Sequence, residues 1–157
     1  MSNILIIKHG SLGDIVQISG VLKDIRNHFS NSSISILTSK TYQSLFEQCP
    51  YVDHVLLDER RGRWNFFYVY GLVSKIFKQQ YSQVIDLQNS SRTEFYRKYL
   101  SNVKQWSSSY TILQPGETKE VFDRDGVLER FKVQLQRTSI STEHTLTPDF
   151  SWALDKN

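Results

Sequence analysis

Residues 3–14, Asn3-Ile4-Leu5-Ile6-Ile7-Lys8-His9-Gly10-Ser11-Leu12-Gly13-Asp14, decide how the rest of the chain is read. An apolar run stops at Lys8, two glycines follow in a short polar stretch, and a carboxylate opens an amphipathic segment. Unbroken rather than alternating apolar residues suit a parallel strand covered on both faces. The order strand, glycine turn, helix sets the turn at the carboxyl end of that strand, where open α/β sheets bind ligands. The turn is not built for nucleotide phosphates. A P-loop needs Lys followed by Ser or Thr at the helix start, and here Gly13 is followed by Asp14. A dinucleotide fingerprint needs three spaced glycines, and only Gly10 and Gly13 are present.

Working outward, Ile15, Ile18, Leu22, Ile25 and Phe29 step by three and four, one face of a helix over 13–29. Strands are predicted at 33–38, 52–57 and 83–87, with a short one at 104–107. A short helix spans 41–48 and is ended by Pro50. A longer one spans 64–79, its apolar face marked by Phe66, Val69, Val73, Ile76 and Phe77. Helices follow at 93–100, with Phe95 and Tyr99 inward, and at 126–137, with Leu128, Phe131 and Leu135 on one side. Residues 110–124, holding Pro115 and Gly116, read as an extended loop. The β-α-β-α-β order points to a Rossmann-like three-layer α/β/α domain with a parallel sheet and right-handed crossovers. The domain covers 1–137, and 138–157 is a polar C-terminal segment.

Bulk properties narrow the class. The chain has 157 residues, 39% of them hydrophobic and 22% charged, enough for one domain with a core. A net charge of +3 is too small to imply nucleic acid. Cys49 is the only cysteine, so no internal disulfide forms; a packing role and a cytoplasmic location fit. The first residues lack the basic start and apolar length of a signal peptide. The longest aromatic-apolar stretch, 65–73, is far below the roughly 20 residues that cross a bilayer. His28, His54 and His144 show no metal-ligand spacing.

Asp14 has two readings. A carboxylate in a first helical turn is held ionised by free N–H groups and the helix dipole, so it caps the helix. The same carboxylate, at the mouth of the sheet, is placed to take a proton from a substrate hydroxyl. Arg60, Arg61 and Arg63 are either a solvated charge run balanced by Asp58 and Glu59, or forks for a phosphate or carboxylate. The aromatics directly after them, Trp64, Phe66, Phe67, Tyr68 and Tyr70, cannot all face one core; a basic loop beside them suits an anionic membrane surface. Gln88, Asn89, Ser90 and Arg92 follow the fourth strand at the same sheet edge as Gly10 and Gly13, and Asp86 reads as buried and structural.

Several of these stretches resemble glycosyltransferase family 9, the bacterial heptosyltransferases of lipopolysaccharide core synthesis. The opening 4–15 is similar to the family's first strand and turn. Tyr51-Val52-Asp53-His54-Val55 after Pro50, Tyr81-Ser82-Gln83-Val84-Ile85-Asp86-Leu87-Gln88 with Arg92 beyond it, and Leu128-Glu129-Arg130-Phe131 resemble later motifs in the same order. The resemblance implies the N-terminal half of a GT-B architecture, which holds the acceptor. It implies inverting transfer, without a metal, of a heptose or related sugar from an ADP-sugar to an acidic phosphorylated sugar-lipid. Asp14 is then the base. Lys8, Gly10, Ser11, Gly13, Arg60, Arg61, Arg63, Gln88, Asn89 and Arg92 are the acceptor contacts. The family usually has glycine where Asn89 stands. The ADP-sugar is expected to bind mainly a donor domain beyond the segment 138–157, so these residues alone are expected to be inactive, without a cofactor, and at most peripheral on the cytoplasmic face of the inner membrane. A non-catalytic Rossmann-like binding or regulatory module remains the alternative.

Overall fold

The computed structural model of the protein describes residues 1–100 and 102–154, and Phe77 and Leu100 by their backbone alone. The inward placement expected for Phe77 therefore lies outside the described side chains. In chain order the elements are β1 (Asn3–Ile7), α1 (Leu12–Gln17), α2 (Ser19–His28), β2 (Ser33–Thr38), α3 (Gln43–Phe46), β3 (His54–Leu57), α4 (Phe66–Phe77), β4 (Gln83–Asp86), α5 (Ser91–Leu100), β5 (Gln105–Ser107), α6 (Lys119–Phe122) and α7 (Val127–Arg137). The five strands form one parallel sheet in the order β3-β2-β1-β4-β5.

β1 is central, and its side chains alternate between two cores. Ile4 and Ile6 join Ile15, Leu22, Phe46, Phe131 and Leu135 on one face. Leu5 and Ile7 join Leu37, Leu72, Val84 and Tyr96 on the other. Both faces are dry, which is why the strand carries no polar alternation. The order of strands explains which helix lies where. From β1 to β3 the chain moves one way across the sheet, and α2 and α3 cover one face. It then reverses, passing to β4 and β5, and α4 and α5 cover the other, as right-handed crossovers require. The loops after β1 and β4 thus leave in opposite directions and open a crevice between them.

Five local expectations change, one of them in α4, where Phe66, placed on the apolar face, is 78% exposed at the start of the helix. The helix over 13–29 is two helices, α1 and α2, separated at Ile18, whose backbone (φ −81°, ψ −1°) stays right-handed but with ψ opened towards zero. The 41–48 helix is a 3₁₀ turn, Lys40–Tyr42, followed by one turn of α3. The loop 110–124 contains α6, capped by the Thr118 side chain. In α5, Phe95 packs against the core as expected, but Tyr99 is 72% exposed and the buried tyrosine is Tyr96.

The C-terminal segment is docked against α2. Asp24, buried, accepts bonds from the His144 N–H (3.0 Å) and the Thr145 hydroxyl (2.7 Å). Gly20 permits this approach, because a Cβ there would lie 2.1 Å from the His144 carbonyl oxygen. Gly71 in α4 faces open space. Gly20→Ala is therefore expected to cost about 1–3 kcal/mol by overpacking, whereas Gly71→Ala stabilises by roughly 0.5–1 kcal/mol through helix propensity. Chemical denaturation of the two variants reads the opposite signs.

Candidate functional site

The crevice between the β1 and β4 turns is a cavity of about 200 Å³. The β1 side supplies Lys8 and Asp14, the β4 side Leu87, Gln88 and Asn89, and Phe122, Val127, Arg130 and Phe131 close it from α6 and α7. The two turns are tied together by one side chain: Gln88 Oε1 accepts the backbone N–H groups of His9 (3.1 Å) and Gly10 (3.2 Å). Gly10 sits at φ +66°, where a Cβ would also come within 2.7 Å of Ile15, so glycine is required there. Gly13 meets no such demand, its Cβ position being open.

Asp14 is both a cap and a cavity wall. Ser11 is the N-cap of α1, and the two residues form a reciprocal capping box. The Ser11 N–H (3.1 Å) and hydroxyl (3.0 Å) both donate to Asp14 Oδ2. Partial burial pushes the carboxyl up, but the Ser11 N–H, the Lys8 ammonium and the Ser11 hydroxyl outweigh it and hold Asp14 below the usual carboxylate range. It is ionised at neutral pH, the form that accepts a proton.

Lys8 is only 5% exposed, unusual for an ammonium. Its Nζ reaches the Leu87 carbonyl at 3.5 Å and stands 5.7 Å from the centre of the Phe131 ring. Burial lowers its pKa, with Asp14 and Asp86 opposing and Arg130 adding to the fall. Arg130 binds Asp123 through one terminal nitrogen (3.2 Å), while its buried Nε has no hydrogen-bond partner among the described residues. Two basic side chains and one carboxylate, Lys8, Arg130 and Asp14, thus line one cavity at the topological switch point.

The β4 turn is framed by buried polar groups. Asp86, with no solvent exposure, accepts the N–H groups of Gln88 (3.0 Å) and Asn89 (2.9 Å), and burial pushes its carboxyl up to about 6. Asn89 has φ +52°, a conformation that glycine and asparagine tolerate best, which gives the residue choice at this position a backbone reason. Its side chain is spoken for, bonding the Ser109 N–H (2.8 Å) and Gln134 (3.1 Å). Gln134, fully buried in α7, donates in turn to the Asp86 and Ser107 carbonyls.

Behind the β1 turn lies a second cluster, around Asp58 at the end of β3. This carboxylate has no exposure. His9 Nε2 lies 3.0 Å from its Oδ2, and the Tyr96 hydroxyl (2.5 Å), the Tyr68 hydroxyl and the Arg60 N–H (2.8 Å) donate to it. Arg92 stands 3.6 Å away and bonds the Tyr96 hydroxyl through Nε (2.6 Å). Burial works against the charge, yet His9 and the two tyrosines prevail and hold Asp58 far below the ordinary range, while burial and the carboxylate push Tyr68 up to about 12.

Of the residues singled out in the sequence, the structure brings Lys8, Asp14, Gln88 and Asn89 together around the cavity, with Gly10 and Ser11 shaping its rim. Arg92 belongs to the Asp58 cluster. Arg60, Arg61 and Arg63 lie outside the cavity lining: Arg61 pairs with Glu59 at 2.7 Å, and Arg63 lies over the Phe95 ring. Sequence reading missed the roles of Arg130, Gln134, His9 and Asp58. Arg130 stood in a quoted motif, and its position one residue before buried Phe131 was the available signal.

Fold and cavity together define a Rossmann-like domain with a polar, doubly cationic crevice at its switch point. Solved glycosyltransferases share this fold. The chain is similar to the E. coli heptosyltransferase WaaC solved with ADP-2-deoxy-2-fluoro heptose (TM-score 0.70, 17% identity, 97% of this chain, 53% of that one). It is also similar to a family 9 glycosyltransferase of Veillonella parvula (TM-score 0.62, 19% identity, 84% of this chain, 41% of that one) and to the E. coli ADP-heptose lps heptosyltransferase II (TM-score 0.57, 15% identity, 69% and 30%). The chain therefore has the fold of these glycosyltransferases over at most about half their length. No family model and no curated protein matches it.

Asp58→Ala is expected to lower stability by about 3–5 kcal/mol at neutral pH, since it strands His9, two tyrosine hydroxyls and an N–H in the interior. Because the folded pKa is depressed, the carboxylate's contribution is complete above its unfolded value of roughly 3.9 and is lost as pH falls through the folded one. Urea titrations from pH 7 into acid should show the gap between wild type and variant narrowing.

Proposed function

We propose that this chain is the acceptor-holding half of an inverting glycosyltransferase of the heptosyltransferase kind. The observation that carries the reading is the cavity itself: an ionised Asp14 near Lys8, with Arg130, which also pairs with Asp123, in the same lining and its buried Nε without a partner among the described residues. A neutral sugar needs no such charge. An acidic sugar does, its phosphate or carboxylate being held by Lys8 and Arg130, while a hydroxyl of the same molecule meets Asp14.

In the proposed reaction Asp14 takes the hydroxyl proton as the oxygen attacks the anomeric carbon of an ADP-linked heptose or related sugar. The bond from that carbon to the diphosphate breaks, and ADP leaves with the electron pair. Attack from the opposite side inverts the anomeric centre. The donor is taken to sit across the cleft in a second domain, and the acceptor is a phosphorylated core sugar of lipopolysaccharide. The fold shared with heptosyltransferases supports this assignment of roles.

Calorimetric titration of the chain with lipid A-type sugar phosphates tests the acceptor site directly. Lys8→Met, which keeps the volume of the buried stem, and Arg130→Ala are each expected to weaken binding about tenfold to a hundredfold, the worth of one charged hydrogen bond. Unchanged affinity in both variants overturns the assignment.

A further inference from the structure

We propose that the outer face of α4 and the loop before it, 59–65, seat the protein on an anionic lipid bilayer. Four large aromatic side chains stand almost fully in water along this surface: Trp64 is 81% exposed, Phe66 78%, Phe67 94% and Tyr70 75%. The opposite side of the same helix is buried, with Val69 and Leu72 in the core, so the exposed ring faces are not a leaking core but a separate second stripe. Monomeric surfaces rarely leave so much contiguous apolar area uncovered.

The occupant is set by charge and residue type. Between Glu59 and Asp86 the sequence has no acidic residue, but it has Arg60, Arg61, Arg63, Lys75 and Lys78, all exposed. The aromatics sit at the start of the helix and the lysines at its end, on the same outer face. The surface continues onto α5, where Arg63 stands 5.6 Å from the Phe95 ring, Phe95 meets Tyr99 at 5.0 Å, and Tyr99 and Lys98 are exposed. A protein partner's apolar pocket would not need this ring of cations. A bilayer interface takes both at once, aromatic rings settling at headgroup depth and cations against anionic phosphates. No described helix is long and apolar enough to cross a membrane, so contact here is with the surface. The loop follows β3 and so stands at the carboxyl edge of the sheet, the edge that carries the cavity.

Sedimentation with vesicles of phosphatidylcholine, with and without a one-third share of phosphatidylglycerol, tests this. The chain should co-sediment with the anionic vesicles, be released by high salt, and show a blue shift of Trp64 emission that Trp64→Phe abolishes. Replacing Trp64, Phe66, Phe67 and Tyr70 together by Ser should reduce partitioning at least about tenfold, with the thermal midpoint unchanged because the side chains are exposed. Arg60→Glu, Arg61→Glu and Arg63→Glu together should do the same and provide a second variant that leaves the helix untouched. Equal partitioning of the variants, no binding by wild type, or self-association through the aromatics without vesicles overturns the proposal. The measurement uses no sugar, so it stands or fails apart from the acceptor reading.

Discussion

One buried charge organises the working edge of this molecule. Taking a carboxylate out of water costs several kcal/mol even after the protein relaxes, and Asp58 is entirely out of water. It is stable only because groups from four parts of the chain converge on it: the His9 ring after β1, at ion-pair distance, and three hydrogen-bond donors, the Arg60 N–H in its own loop, Tyr68 in α4 and Tyr96 in α5. Each donor is fixed by the charge as much as the charge is by the donors. The cluster therefore acts as a clamp across the carboxyl ends of β1 and β3 and both helices of one face.

The clamp has a consequence for the cavity on the other side of His9. The His9 ring stands against Asp58 and its N–H is held by Gln88, and Gly10 beside it is bonded by the same Gln88 oxygen. Lys8 is thus delivered to the crevice from a backbone held on both sides, and Asp14 is set in the first turn of α1 by its capping box with Ser11. Opposite them, Gln134 and Asn89 lock α7 to the ends of β4 and β5, and this is what brings Arg130 into the lining. Positioning by a satisfied polar interior suits a site whose groups must keep fixed distances from a reacting atom.

What the sequence revealed and what it hid divide along physical lines. β1 was legible because a strand buried on both faces has no polar alternation, β2 because its isoleucines alternate with serines between turn residues, and the switch point followed from placing β1 beside a glycine turn. The capping role of Asp14 was equally local. Asp58 was not legible: beside Glu59 and three arginines it read as a surface charge, and its burial depends on Tyr68 and Tyr96, which only the tertiary fold brings near. Arg130 was hidden for the same reason, lying on the last helix and meeting the first strand only after the chain has reversed across the sheet. Ile18 breaks its helix without a glycine or proline to announce it, and α5 is short enough that the step of four from Phe95 to Tyr99 outweighed the buried Tyr96.

The central claim is that Asp14 removes a proton from an acceptor hydroxyl rather than serving only as a helix cap. Asp14→Asn separates the two, because the asparagine amide oxygen at this third helical position can still accept the Ser11 N–H of the capping box but is no base. The decisive measurement is the turnover of this variant in a protein that also carries the proposed donor-binding half. A proton-abstracting Asp14 predicts a fall of about 10²–10⁴ in rate with acceptor affinity kept within a few-fold; turnover within a few-fold of wild type contradicts it.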